Sequence, residues 1–346
     1  MSPPPALDLR DPSIRLYLKL VRLQVLTPLS LLINLATSLV TAFIVHPSLG
    51  NVSRKYMTSI TPNPIVVGVY WMVVFAGQIG FCLLLVIARK DETKHTLVSL
   101  GLSVVLANWV MAAWAVTWAL RAFVASTVLM GLLVVLLLYA NLNLLLRPSN
   151  AVTRSRPLDA VFIHAPIRLF LIMPLTLLLW QCLFISMKHS WTPSHPEYEV
   201  DKFHWEGVAV IVSSGVVGLL VVALRGDIVW TLGATWTLVA VAFGPKHNVP
   251  VLASAITFIV LFPVTLVAAL IFRHVQAAKH EGAIALPPDE EEETGRDEEV
   301  ERLRIRMDEE EQNGSLPQRQ HTPPPSAPPP QYHQQSPGQV EESVWG

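Results

Sequence analysis

Long apolar runs separated by short charged breaks set the rhythm of this chain. A helix that crosses the ~30 Å hydrocarbon core of a bilayer needs about 20 mostly apolar residues. Eight stretches approach or exceed that length: 23–45, 65–88, 97–120, 123–146, 162–187, 207–224, 227–243 and 249–272. The run 97–146 shows how length fixes the count. As one helix it would reach roughly 75 Å at about 1.5 Å per residue, so it must fold back, and Leu120-Arg121-Ala122 is the charged break where it does. Arg225-Gly226-Asp227 makes a similar tight turn between the sixth and seventh stretches, the shortest of the eight. The pattern predicts an all-α, polytopic transmembrane helix bundle of about eight spans over 23–273. A basic N-terminal segment, 1–22, precedes it, and a tail, 274–346, follows. The first apolar run is too long, and lacks the small-residue cleavage site, for a removable signal peptide.

Composition sharpens the division. Of 346 residues, 52% are hydrophobic and 15% charged, against roughly 25% charged in soluble chains, and mean hydropathy is +0.45. The formal net charge of −1 sums a basic membrane body and an acidic tail. With the N-terminus inside, thirteen lysines and arginines flank the inner ends of the spans and six the outer, which predicts both termini in the cytosol. Span length alone fits the endoplasmic reticulum, vacuole and plasma membrane comparably. Asn51-Val52-Ser53 then lies on the external or lumenal face, making Asn51 a candidate glycosylation acceptor. The outer loop 188–206 carries Trp191, Tyr198, Phe203 and Trp205, residues of an interfacial belt. Its His189, His195 and His204 have a spacing that matches no metal site.

The tail is clustered in acid, Glu290 to Glu293, Asp297 to Glu299 and Asp308 to Glu311, and then turns to proline and glutamine. Such a composition buries too little apolar area to offset chain entropy, so the tail is expected to be disordered. One short helix is expected within 297–312, where Val300, Leu303 and Met307 share a face. Pro329, Pro330 and Tyr332 form a PPxY peptide, whose polyproline II conformation and tyrosine fit the aromatic groove of a WW domain. The partner class that this implies is a Nedd4-type ubiquitin ligase or its adaptor; the competing reading is coincidence in a proline-rich stretch.

No paired carboxylate, zinc-binding His/Glu pattern, phosphate loop or nucleophile elbow is present, so neither an enzyme nor a resident cofactor is expected. Nor does the composition point to nucleic acid. The spans hold almost no acidic group, which argues against a proton-driven pump. Their polar residues are amides: Asn34, Gln78, Asn108, Asn141, Asn143 and Gln181. Amides in hydrocarbon either join helices or line a cavity. Arg168 is expected to snorkel to the inner interface, or else to be a buried functional charge. Cys82 and Cys182 read as small buried hydrophobes. Trp114 and Trp118 suit a belt at the outer end of their helix, whereas Trp109, near mid-depth, does not. Trp71, Trp180, Trp230 and Trp236 also fall within spans, and such aromatic walls serve either packing or a flat apolar ligand.

Thr61-Pro-Asn-Pro-Ile-Val-Val-Gly-Val-Tyr-Trp-Met and Leu106-Ala-Asn-Trp, followed by Trp114 and Trp118, resemble the tryptophan-rich sensory protein (translocator protein) superfamily, and its longer members in particular. The likeness continues through Ala165-Pro-Ile-Arg-Leu and Arg225-Gly-Asp-Ile-Val-Trp to Trp236-Thr-Leu-Val, covering roughly 30 to 270. With its membrane body and low-complexity tail, the chain also resembles uncharacterised fungal integral membrane proteins. The resemblance implies an all-helical bundle that binds porphyrins, sterol-like molecules or aromatic drugs, with Trp71, Asn108, Trp109 and Trp114 in the pocket wall. The chain departs from the family pattern in its fifth span, where Met173-Pro174 and Trp180-Gln181 stand, and Pro174 is expected to bend that helix. The functions that follow are non-enzymatic binding of a small hydrophobic ligand, an adaptor working through the PPxY tail, or a facilitative transporter.

Overall fold

The computed structural model describes residues 12–88, 90–146, 159–191, 203–245, 248–281 and 300–306. The bundle's described helices are α1 (Pro12–Leu39, prolonged by a π-helical turn Val40–Ile44), α2 (Leu49–Lys55), α3 (Pro64–Ile87), α4 (Asp91–Ala119) and α5 (Phe123–Leu146). They continue with α6 (Ala160–Ser186), α7 (His204–Arg225), α8 (Ile228–Ala242) and α9 (Val249–Glu281). Seven of these are long and apolar enough to cross a membrane. The expected seventh span corresponds to α8, a shorter apolar helix of 15 residues, about 22 Å at the helical rise.

Both ends of α8 have an identifiable cause. At its start the Asp227 carboxylate accepts from Trp230 N at 3.1 Å, capping the first turn. Just before it, Gly226 takes φ +60°, the left-handed conformation that ends α7 and is least costly for glycine. At the far end, Asn63 reaches across from the start of α3. Its backbone N–H donates to Ala240 O at 2.7 Å and its Nδ2 to Phe243 O at 3.0 Å.

Other boundaries also move. The helix of the first span begins at Pro12 rather than near 23, because Leu20 and Leu23 bury themselves in the bundle while Lys19 and Arg22 stay outside. The fourth span begins at Phe123 and ends at Leu146, as the hydropathy pattern predicts. In α6, Pro174 does not break the helix. A π-helical turn, Pro174–Leu178, absorbs the missing donor and the chain stays helical to Ser186. Between α1 and α3 lies structure that the apolar pattern does not signal. The short helix α2 is followed by a tucked segment in which Thr58, Ser59, Ile60 and Thr61 are all buried. Thr58 N donates to Thr61 Oγ1 at 2.7 Å, so the segment satisfies part of its polarity internally.

α4 packs chiefly on α1 and α5, and α6 joins α3, α5 and α8. One apolar cluster fills the space among α3, α4, α5 and α6 around Trp114, Met130 and Phe170. A second lies among α6, α7, α8 and α9 around Leu177, Ala234 and Phe262. A third, around Leu23, Leu97 and Ile163, joins α1, α4 and α6. Leucines, valines and isoleucines such as Leu83, Val135 and Val264 remain exposed on the outside, the surface a bilayer would cover. Within the expected 297–312 helix, 300–306 is helical, in a separate unit that begins at Glu281. Pro329, Pro330, Tyr332, Met307 and His195 lie outside the described residues.

Candidate functional site

Three helices contribute one amide each to a buried relay. Asn34 Nδ2 of α1 donates to Asn108 Oδ1 of α4 at 2.7 Å. Asn108 Nδ2 donates in turn to Gln78 Oε1 of α3 at 2.8 Å. Asn34 and Asn108 have no exposed surface. Gln78 Nε2 is buried with no hydrogen-bond partner among the described residues. Asn141 and Gln181 bridge elements likewise: Asn141 Nδ2 to Ile167 O at 3.3 Å and Gln181 Nε2 to Ser53 Oγ at 2.8 Å. These amides join helices, as hydrocarbon-buried amides do.

Of the sequence-derived wall residues, Trp71 and Trp114 share one apolar cluster, whereas Asn108 and Trp109 are directed elsewhere. Trp71 packs edge-on against Phe170, centroids 5.7 Å apart, and against Tyr70 at 6.2 Å. Tyr70 itself donates to Leu169 O at 2.6 Å. Asn108 points into the α1–α3–α4 interface. Trp114 is buried one turn from the end of α4, with Nε1 3.4 Å from Cys182 Sγ. Trp109 is 46% exposed on the outer surface. Adjacent helical residues diverge by about 100°, so burying Asn108 swings Trp109 outward. The belt reading of Trp114 and Trp118 is corrected. Both are buried, and Trp118 Nε1 reaches Leu49 O of α2 at 3.4 Å, because α2 covers that end of the bundle. Asn51 is exposed on α2, while the hydroxyl of its triplet partner Ser53 is buried beneath and taken by Gln181.

A narrow crevice opens among α6, α7, α8 and α9, with about 20 Å³ of room at its depth, enough for one water molecule. Apolar side chains from Leu177, Ile211, Ala234 and Phe262 line it, and Ile60 of the tucked segment closes one side. Three hydroxyls, Thr176, Ser214 and Thr237, interrupt the lining. Each donates to its own helix: Thr176 to Ile172 O at 2.7 Å, Ser214 to Val210 O at 2.7 Å and Thr237 to Gly233 O at 2.9 Å. With the proton committed, each oxygen retains acceptor capacity only. This crevice carries no signature in sequence, since its hydroxyls sit on three helices and read singly as ordinary helix-packing residues.

Arg168 does not simply snorkel to the interface. It forms an ion pair with Asp227, Nη1 to Oδ2 at 2.5 Å, with side-chain exposures of 21% and 5%. The partner lies 59 residues away, in a turn that the sequence marks only as a charged break.

Long apolar helices, lipid-compatible outer faces and buried interhelical amides define an integral, multi-pass helical membrane protein. The family model described as TSPO-like protein matches residues 24–272, most of the chain, and the chain belongs to that family. No curated protein and no solved structure matches it.

Proposed function

We propose that this protein binds a small, largely apolar molecule bearing a hydrogen-bond donor, a sterol-like alcohol in chemical class, in the crevice among α6, α7, α8 and α9. It does so without catalysing a reaction. The observation that carries this reading is the trio Thr176, Ser214 and Thr237, whose hydroxyl protons are spent on their own helices. An apolar slot with acceptors alone selects a ligand that donates. A sterol-sized molecule is far larger than the present space, so binding requires neighbouring helices to part. The porphyrin-like alternative, set against Trp71, Asn108, Trp109 and Trp114, draws less support because those side chains point to different neighbours.

The test is saturable binding of a fluorescent sterol to the purified full-length protein. Thr176→Val and Thr237→Val keep the side-chain shape and remove the acceptor. Each should weaken binding about fivefold, the worth of a net hydrogen bond near 1 kcal/mol. Trp71→Phe and Asn108→Ala run beside them. Loss of binding in this second pair alone would move the site to the α3–α4 side, and unchanged binding in all four would sink the reading.

An adaptor role through Pro329, Pro330 and Tyr332 is the alternative, supported by the PPxY sequence. It fails if deletion of 320–346 leaves turnover and ubiquitylation unchanged. The lysine and arginine distribution supports both termini in the cytosol, and an N-terminal tag protected from protease added to intact cells but digested after permeabilisation is the expected result; cleavage in intact cells would reverse the orientation.

A further inference from the structure

The joint between α7 and α8 gathers positive charge beside an apolar surface. Arg225 closes α7 and lies within electrostatic range of Arg168, Asp227 and Arg273. Arg273 of α9 donates from Nη2 to Leu224 O at 2.5 Å, one of the terminal carbonyls of α7 that intrahelical bonding leaves over. Three arginines against one aspartate leave two positive charges. The Arg168–Asp227 pair accounts for one arginine, so the surplus falls on Arg225 and Arg273, both exposed. Among the described residues, no hydrogen bond or ion pair engages the Arg225 guanidinium.

The neighbouring surface is not aqueous in character. Leu220 and Leu224 on α7, Ile228 at the start of α8 and Ile271 on α9 are all exposed large hydrophobics. Exposed guanidinium charge at the edge of hydrocarbon attracts anionic lipid headgroups in preference to neutral ones. A guanidinium fork matches phosphate oxygens in bidentate fashion. Basic pockets between transmembrane helices take anionic headgroups on these grounds. A free phosphate would use the arginines and ignore the apolar rim; a phospholipid uses both.

We propose that Arg225 and Arg273 bind the phosphate of an anionic phospholipid whose acyl chains lie along Leu220, Leu224 and Ile271. The Arg168–Asp227 pair fixes the turn that presents them. This site is distinct from the hydroxyl-lined crevice and does not depend on the sterol reading.

Native mass spectrometry of the detergent-purified full chain tests it, with dioleoyl phosphatidic acid, dioleoyl phosphatidylcholine and glycerol phosphate as probes. Phosphatidic acid should be retained at least tenfold better than phosphatidylcholine. Arg225→Gln and Arg273→Gln should each cut that preference about fivefold, in line with one basic residue at a membrane surface, and together abolish it. Arg121→Gln, in the α4–α5 turn, should leave it intact. Arg273 also caps α7, so Arg225→Gln, which breaks no hydrogen bond among the described residues, is the decisive variant; its thermal midpoint is recorded alongside. A preference that survives the double substitution overturns the proposal. So does glycerol phosphate competing as well as the whole lipid, which would make this a site for a soluble anion.

Discussion

Replacing Asn108 with leucine isolates the amide relay. The substitution keeps side-chain volume nearly constant, so the cost is polar rather than a cavity. It removes the bonds from Asn34 at 2.7 Å and to Gln78 at 2.8 Å. Interhelical hydrogen bonds in membrane bundles contribute about 0.6–1.7 kcal/mol each, so the two together account for about 1–3 kcal/mol. Leucine also strands the Asn34 amide and the Gln78 carbonyl oxygen in a fully buried interface, which adds about 1–3 kcal/mol for an unpaired group that cannot reach another partner. The expected loss is about 3 kcal/mol. Unfolding by sodium dodecyl sulfate in mixed micelles, followed by far-ultraviolet circular dichroism, measures it. The double variant Asn34→Leu/Asn108→Leu removes one stranded partner, so the pair should cost less than the sum of the singles by about 1 kcal/mol, within the coupling range of contacting residues. An Asn108→Leu protein within about 0.5 kcal/mol of wild type, the scatter of an inert substitution, would refute this. A strictly additive cycle would refute it equally.

Two further outcomes follow from the packing. A Cβ on Gly77 would lie 2.9 Å from Pro166 Cβ and Cγ, a rigid ring, whereas one on Gly131 meets nothing within 4 Å. Gly77→Val should therefore lower the thermal midpoint by several degrees while Gly131→Val barely moves it, and equal effects would show that α3 and α6 do not meet as described. Arg168→Ala leaves the Asp227 carboxylate buried without its cation and should cost about 3 kcal/mol, at the low end for a broken buried pair because Arg168 is partly exposed. Adding Asp227→Asn, which keeps a capping oxygen, should recover much of that loss in the same unfolding assay. No recovery would mean that the ion pair is not what holds the turn.

Span positions were legible because hydrocarbon thickness acts on length, and length is visible in one dimension. Phe123–Leu146 and Pro64–Ile87 sit within a residue of the apolar runs that predict them. Azimuth is less legible, although the sequence holds it. Asn108, Met111, Ala115 and Trp118 recur at helical spacing and share the buried face, which turns Trp109 to the outside whatever its depth. Other features had no local signal. The pairing of Arg168 with Asp227, the covering of Trp118 by α2 and the convergence of Thr176, Ser214 and Thr237 each depend on elements distant in sequence. The tucked segment around Ile60 is rich in serine and threonine and so has the composition of a surface loop. It is buried because the Thr61 hydroxyl accepts from the backbone N–H of Thr58, the Thr58 and Thr61 hydroxyls meet, and Ile60 fills the cluster of the later helices.

The short helix α8 is pinned at both ends, to α6 through Arg168 and Asp227 and to the start of α3 through Asn63. A strut fixed at two points can neither slide nor pivot without breaking charged or backbone bonds. α9, by contrast, is tied to α7 by a hydrogen bond only at the Arg225 end, from Arg273 to Leu224 O; beside the crevice it meets α7 through the rings of Phe258 and Phe262 seated at Gly215 and Gly218, contacts that slide and separate at little directional cost. Any widening of the crevice is therefore the work of α7 and α9, with α6 and α8 as the fixed jamb against which they swing.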